Sequence, residues 1–256
     1  MRAYGRCLER RHKERHQQLA AEPAFPLHTS LIHKFIIMRI IVVRHYKTTS
    51  NESDQILGWG DAPPANDWQD DLNKVGQILL GSHITIHHIY TSTLPRAINT
   101  GKFYAESYGI KDILSSPDLR EVNYGKLYNK NKKWVDKNIP LHKKDPDFVY
   151  PDGESFTQMQ KRSVAFVEKL TKKHPDETLL VVIHAGVIRG LICHFLGLDY
   201  ASNLRQHMGH QYIGDFTFEG NICVRYNELG RPSEFVKSGV IKVPFYRSGK
   251  ARKEKT

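Results

Sequence analysis

The chain reads as an α/β protein, a three-layer sandwich with a mostly parallel central sheet and helices on both faces. Three observations predict it. The runs 40–43 (Ile-Ile-Val-Val) and 179–183 (Leu-Leu-Val-Val-Ile) are apolar at every position, as strands covered on both faces are. Segments of helical period lie between such runs, which argues for strand–helix alternation. Both runs end in a histidine beside an arginine: Arg44-His45 closes the first, and His184 closes the second with Arg189 a helical turn beyond. Strand ends are where α/β proteins place ligands.

The elements follow in order. Residues 39–44 form a buried strand and 67–80 a helix. Residues 88–92 form a short strand. Residues 95–108 read as a helix, with Pro95 early and Gly109 just past its end. Ser155 and Gln158 have the spacing of a capping box. The helix they open runs to about residue 173, with Phe156, Met159, Phe166 and Leu170 on its apolar face. Arg162 falls on its polar face and is expected in solvent. Residues 179–183 form a strand and 186–196 a helix. Residues 222–226 and 239–243 read as late edge strands. No internal repeat is visible.

A chain of 256 residues with 39% hydrophobic content can bury a sizeable core. Cys7, Cys193 and Cys223 are too few and too scattered for a disulfide framework or a cysteine zinc site, which predicts a reduced, cytoplasmic protein. No apolar stretch reaches the roughly 20 residues that span a bilayer. The net charge of +11 is concentrated at the ends: residues 1–37 carry +4 and residues 248–256 carry +3. The long middle is nearly balanced, which weakens nucleic-acid binding as a reading. Residues 1–37 lack a usable period, and Met38 stands just before the first strand. The expected organisation is a non-native or disordered leader (1–37), one domain (38–247) and a disordered basic tail (248–256).

Arg44-His45 alone says little, since Arg11-His12 and Arg15-His16 repeat the dipeptide. Context adds weight. Ser92, Leu94, Arg96, Ala97 and Thr100 put an arginine in the first turn of a helix that follows a strand, where guanidinium and backbone N–H groups suit an anion. Glu121 lies in Leu119-Arg120-Glu121-Val122-Asn123-Tyr124-Gly125, a carboxylate beside a glycine turn. Gly153-Glu154-Ser155 and His184-Ala185-Gly186-Val187-Ile188-Arg189 follow.

Taken together with Asn51 and Gly58-Trp59-Gly60-Asp61, these ordered motifs resemble the histidine phosphatase superfamily. The likeness is to its phosphoglycerate-mutase-like branch, and in motif form to the α-ribazole phosphatase-like members. The resemblance implies the phosphoglycerate mutase-like fold and a phosphohistidine mechanism. It makes His45 the nucleophile, has Arg44, Arg96 and His184 hold the phosphate oxygens, and gives Glu121 the proton transfers. Asn51, Gly58, Tyr46, Ala185 and Gly186 are expected to contact substrate. No cofactor and no metal is expected, because two arginines supply the positive charge that a phosphoryl group needs.

The chain also departs from the pattern. Tyr46 stands where the family has glycine, adding bulk and a hydroxyl within reach of substrate. Leu57 replaces a hydroxyl residue of the mutases, which favours a phosphatase. Residues 126–150 form the substrate cap, with seven lysines against three aspartates and with Tyr128, Trp134 and Phe148 among them. A cap of this kind suits a substrate with further anionic groups, or one with a ring to stack. The expected activity is metal-free hydrolysis of a small phosphate ester, with α-ribazole 5′-phosphate, a sugar phosphate or a nucleotide as candidates. The alternatives are a mutase-type phosphotransferase and a weakly active phosphate-binding protein. The expected partner is that small molecule, with no nucleic acid and no membrane; a homodimer stays open.

Overall fold

A computed structural model of the chain describes residues 37–237, 239–240 and 245–246. Its strands are β1 (Ile37–Arg44), β2 (His88–Ser92), β3 (Ile113–Ser116), β4 (Thr178–Ile183), β5 (Ile213–Glu219), β6 (Ile222–Leu229) and β7 (Phe245–Tyr246). The α-helices are α1 (Thr49–Glu52), α2 (Trp68–Gly81), α3 (Pro95–Tyr108), α4 (Lys132–Asn138), α5 (Phe156–Lys173), α6 (Ala185–Leu196), α7 (Tyr200–Asn203) and α8 (Glu234–Lys237). The strands form one sheet in the order β3-β2-β4-β1-β5-β6-β7. β1 to β4 run parallel, while β5, β6 and β7 are antiparallel.

Alternation along β1 divides the core in two. Met38, Ile40 and Val42 join one hydrophobic cluster; Ile41 and Val43 join the other. The first cluster takes Met159, Val167 and Leu170 from α5 and Val187, Leu191 and Ile192 from α6. The second takes Leu72, Val75 and Leu79 from α2 and Ala97, Tyr104 and Ala105 from α3. Two helical layers thus cover one sheet, which is the architecture that the uninterrupted apolar strands require. The ends of α3 follow their sequence signals: Pro95 sits in the first turn and Gly109 caps the helix at φ 64°. The Ser155–Gln158 capping box forms at the start of α5.

Three expectations need correction. β5 was not anticipated, because Gly214 and Asp215 interrupt its apolar pattern. Asp215 is tolerated there at 1% exposure because Arg39 holds it through two hydrogen bonds of 2.8 and 2.7 Å. The strand 222–226 extends to Leu229 and is no edge, since β5 and β7 flank it. Of the expected strand 239–243, Gly239 and Val240 form a turn and bend, and the rest lies outside the described residues, as do the basic tail and all of the leader before Ile37. Among the described residues, no helix is long and apolar enough to cross a membrane.

The segment 126–150 leaves and re-enters the domain through a narrow neck. Lys126 N–H donates to the Pro151 carbonyl at 2.9 Å, and Glu154 N–H donates to the Asn123 carbonyl at 3.0 Å. A Cβ on Gly125 would stand 2.0 Å from the Pro151 oxygen, and one on Gly153 would stand 2.2 Å from the Asn123 oxygen. Two backbones pass here at a distance that only glycine permits.

Candidate active site

β1 and β4 are paired in parallel, with Arg44 opposite Ile183. His45 and His184 are therefore the next residues at the carboxyl ends of two adjacent central strands. His45 N–H donates to the Ile183 carbonyl at 3.0 Å, which extends the pairing by one step. The two imidazoles lie 5.0 Å apart between ring centroids, at a topology that builds ligand crevices.

His45 is 4% exposed, and its Nδ1 lies 2.6 Å from the carbonyl oxygen of Tyr46. That oxygen can only accept, so Nδ1 carries the proton and Nε2 presents its lone pair. Burial, followed by the positive charge of Arg96, holds the His45 imidazole well below the usual histidine range. The ring stays neutral, the form in which Nε2 keeps its lone pair.

Arg96, 1% exposed, spreads its guanidinium under this nitrogen. Its Nε lies 3.3 Å from His45 Nε2, while its terminal nitrogens donate to the carbonyls of Gly60 (2.8 Å) and Gly58 (2.7 Å). Gly58, at φ 53°, turns the loop that supplies those carbonyls. Arg44 donates to the Met208 carbonyl, and its Nε is buried without a protein partner. Burial lowers both guanidiniums to about 10, and both remain cationic near neutrality. His184 Nε2 meets the Ser92 hydroxyl at 2.6 Å, and its Nδ1 is buried without a protein partner. Burial, then Arg96 and Arg44, holds His184 well below its ordinary range too.

Glu121 reaches the site from the loop after β3. Gly186, in the first turn of α6, donates its N–H to Glu121 Oε2 at 3.0 Å, and Val122 N–H donates to Oε1 at 2.9 Å. A Cβ on Gly186 would lie 2.2 Å from Glu121 Oε1, so the carboxylate can rest on the helix start only because residue 186 is glycine. The Glu121 carbonyl is fixed from two further directions, by Trp59 Nε1 at 2.6 Å and Arg162 Nη2 at 2.9 Å. Arg162 is thus no solvated residue. It forms a two-pronged pair with Glu154 (3.1 and 2.6 Å) and donates to the Asp118 carbonyl at 2.7 Å, tying α5 to the loop that carries Glu121.

A cavity of about 260 Å³ opens over His45. Arg44, Arg96, Glu121, Asn51, Gly58, Ala185 and Gly186 line it, as do Leu57 and Arg189. Asn51 also works as a cap, its Oδ1 accepting from Thr48 N–H and Thr48 Oγ1. His184 is fully buried beside His45 and is not among the residues that line the cavity. Tyr46 departs from expectation: its ring is 3% exposed, packs 5.1 Å from Trp68 and belongs to the second core cluster. Its φ is not positive, so this position does not need glycine. What Tyr46 offers the site is its carbonyl.

The cap is represented in the cavity by Lys132, His142 and Lys143, and the loop after α7 adds Arg205 and His207. Lys133 is exposed and outside it. So are Tyr128 and Trp134, each about half exposed, and the ring of Phe148 packs against Tyr150. Stacking of a substrate ring on these three aromatics is therefore not supported. A second cavity of similar size is lined by Asp71, His207, His210, Gln211 and Arg231; neither His45, Arg96 nor Glu121 reaches it.

Sequence reasoning missed Ser92 as the partner of His184, although the residue stood in a quoted motif. It also missed His210, whose Nδ1 meets the His45 carbonyl at 3.0 Å and whose imidazole burial lowers to about 2; no local pattern marks it. Among the described residues, the side chains that could together ligate a metal are His88, His174 and Glu177, outside this cavity.

Paired imidazoles, two buried guanidiniums and a poised carboxylate define a phosphoryl-handling site, and comparison with known proteins agrees. Residues 40–228 match the profile of the histidine phosphatase superfamily (branch 1), and the chain belongs to that family. It is 30% identical over 201 residues to a metal-independent phosphoserine phosphatase of Arabidopsis thaliana, covering 73% of this chain and 80% of the relative. It is 26% identical over 162 residues to a 2,3-bisphosphoglycerate-dependent phosphoglycerate mutase of Parvibaculum lavamentivorans, covering 60% and 77%. Among solved structures, the fold resembles that of a phosphoserine phosphatase from Entamoeba histolytica in complex with 3-phosphoglyceric acid. The TM-score is 0.65 at 20% identity, covering 77% of this chain and 98% of the other.

Proposed function

We propose that the chain hydrolyses a small phosphomonoester that bears a second anionic group, through a phosphohistidine formed on His45. The observation that carries the reading is the neutral His45, its proton committed to the Tyr46 carbonyl and its Nε2 facing Arg96. Nε2 attacks phosphorus as the ester P–O bond breaks. Arg44 and Arg96 receive the charge on the equatorial oxygens. Ser92 donating to His184 Nε2 leaves the proton on His184 Nδ1, beside the His45 ring and without a protein partner. Glu121, protonated, gives its proton to the departing alcohol. It then takes one from the water that attacks the phosphohistidine, and orthophosphate leaves.

The second anion is argued from charge. Lys132, Lys143, Arg189 and Arg205 line the cavity beyond the phosphoryl site against the carboxylate of Glu121; Lys132 also pairs with Asp54 (3.1 Å) and Lys143 with Asp136 (2.8 Å), so the two arginines carry most of the argument. A carboxylate or a second phosphate on a short carbon skeleton suits that wall better than an uncharged sugar or a base. The names of the relatives, phosphoserine phosphatase and phosphoglycerate mutase, point the same way.

The test is phosphate release from a panel containing phosphoserine, 3-phosphoglycerate and glycerol phosphate. The two acids should be preferred in kcat/KM, and His45→Ala should abolish turnover. Lys132→Glu should raise KM for the acids and spare glycerol phosphate, whereas Lys133→Glu should change neither. Equal rates for His45→Ala and wild type would defeat the enzyme reading; preference for glycerol phosphate would defeat the second anion. Transfer of the phosphoryl label to an acceptor instead of water would make the chain a mutase.

A further inference from the structure

We propose that His88, His174 and Glu177 form a zinc-type divalent metal site at the end of the sheet opposite the catalytic cavity. His88 opens β2, and Ser92 closes the same strand against His184, so the two places are about 13 Å apart along one strand. His174 caps the end of α5, and Glu177 follows three residues later, just before β4. β2 and β4 are paired, with His88 opposite Leu179, which brings His88 against the turn between α5 and β4.

The donor atoms converge. Glu177 Oε2 lies 2.7 Å from His174 Nδ1 and 3.2 Å from His88 Nε2, and the group's ligand atoms all lie within 4.8 Å of one another. Tetrahedral zinc with bonds of about 2.1 Å sets its ligands about 3.4 Å apart. Rotation of the partly exposed Glu177 carboxylate and His88 ring supplies the adjustment, the larger part at the 2.7 Å His174–Glu177 pair. Two imidazoles and one carboxylate are a zinc donor set, and three protein ligands leave the fourth position to water on the exposed side.

The surroundings fit as well. His174 is 7% exposed at its side chain, and its Nε2 meets the Tyr90 hydroxyl at 2.8 Å. A metal-bound imidazole normally donates its other N–H to such a partner, which fixes the ring and keeps Nδ1 unprotonated for the ion. Lys173 Nζ, 3.3 Å from the same hydroxyl, is the nearby cation, and the Glu177 carboxylate lies between the two imidazoles. His87 is oriented elsewhere, its Nδ1 accepting from Thr178 N–H at 2.9 Å. The ion joins α5, β2 and β4 far from the reaction, so its role is to hold these elements together, and the chemistry on His45 proceeds without it.

The experiment is equilibrium dialysis of the full chain against zinc with metal analysis, paired with thermal unfolding with and without zinc. Wild type should bind one equivalent more than His88→Ala, and zinc should raise the midpoint of wild type beyond any rise in the variant. Ions held by the catalytic imidazoles are common to both proteins and cancel. Tyr90→Phe should keep the fold and weaken zinc binding about 10–100-fold. Turnover of p-nitrophenyl phosphate by zinc-free His88→Ala should equal that of wild type. Equal stoichiometry and equal thermal shifts in wild type and His88→Ala would overturn the proposal.

Discussion

Replacing Gly186 by alanine tests the assignment of Glu121 at a residue that takes no part in proton transfer. The new methyl would lie 2.2 Å from Oε1, 3.1 Å from the carboxyl carbon and 3.4 Å from Oε2. A carbon–oxygen contact needs about 3.3 Å or more, so the carboxylate must retreat by about 1 Å. In retreating it gives up the 3.0 Å hydrogen bond from Gly186 N–H. The fold should tolerate the change, since alanine favours a helix over glycine by about 0.5–1 kcal/mol. Catalysis should not. A misplacement of about 1 Å can cost about 10²-fold, and the whole of general acid catalysis is worth about 10²–10⁴-fold. A loss near 10²-fold is about 2.7 kcal/mol of transition-state stabilisation. The assay compares kcat/KM for an alkyl phosphate, whose departing alkoxide must be protonated, with p-nitrophenyl phosphate, whose phenolate leaves unaided. Gly186→Ala should lower the first about 100-fold and the second only a few-fold. Equal losses on both substrates, or no loss on the alkyl ester, would refute Glu121 as the proton donor.

Ser92→Ala removes the hydrogen bond to His184 Nε2 and strands a second buried nitrogen on that ring. It should cost about 1–3 kcal/mol in urea unfolding and lower kcat. Arg162→Ala leaves Glu154 unpaired and frees the Glu121 backbone; it should lower kcat far more than it raises KM, and Arg162→Lys, lacking the planar fork, should not restore it. Tyr46→Gly should empty core volume beside Trp68 and cost about 3–5 kcal/mol with no gain in turnover; a faster enzyme would show that the tyrosine obstructs the site. His45, His184 and His210 are held far below the pKa of about 6.5 that each has when unfolded. Below that pH the unfolded chain takes up protons that the folded chain refuses. Their contribution is complete above it and lost toward acid, about 4 kcal/mol for the three together between about pH 7 and 5.5. Urea midpoints unchanged across that range would contradict the burial of these rings.

Where a sequence pattern and its physical cause lie on the same few residues, the fold was legible. β1 and β4 are apolar throughout because helices cover both faces, and α3 and α5 carry their own start and stop signals. β5 was not legible, because the partner that makes Asp215 acceptable in a central strand lies 176 residues away at Arg39. Helical phase put Arg162 correctly on the polar side of α5, but phase says nothing about what packs over that side, and here it is the loop of Glu121. The same limit applies to the cap, where the direction of adjacent side chains decides that Lys132 reaches the cavity and Lys133 does not. His45 and His184 could be picked out because strand ends and ordered motifs marked them; His210, which meets the His45 carbonyl from a distant loop, could not. Ring direction at Tyr46 could not, since it depends on the distant Trp68.

The crossing of backbones at Gly125 and Gly153 has a consequence for how such enzymes diversify. The loop between them is already closed at its base, so the cost of closing it grows only slowly with the length of what is inserted. Evolution, or an engineer, can exchange the stretch from Lys126 to Tyr150 for another that fills the core places of Leu127, Val135 and Tyr150, while the two glycines at its base and Arg44, His45, Arg96 and Glu121 stay in place. Selectivity and reactivity are then inherited separately, and a transplanted loop should carry its taste for substrate with it.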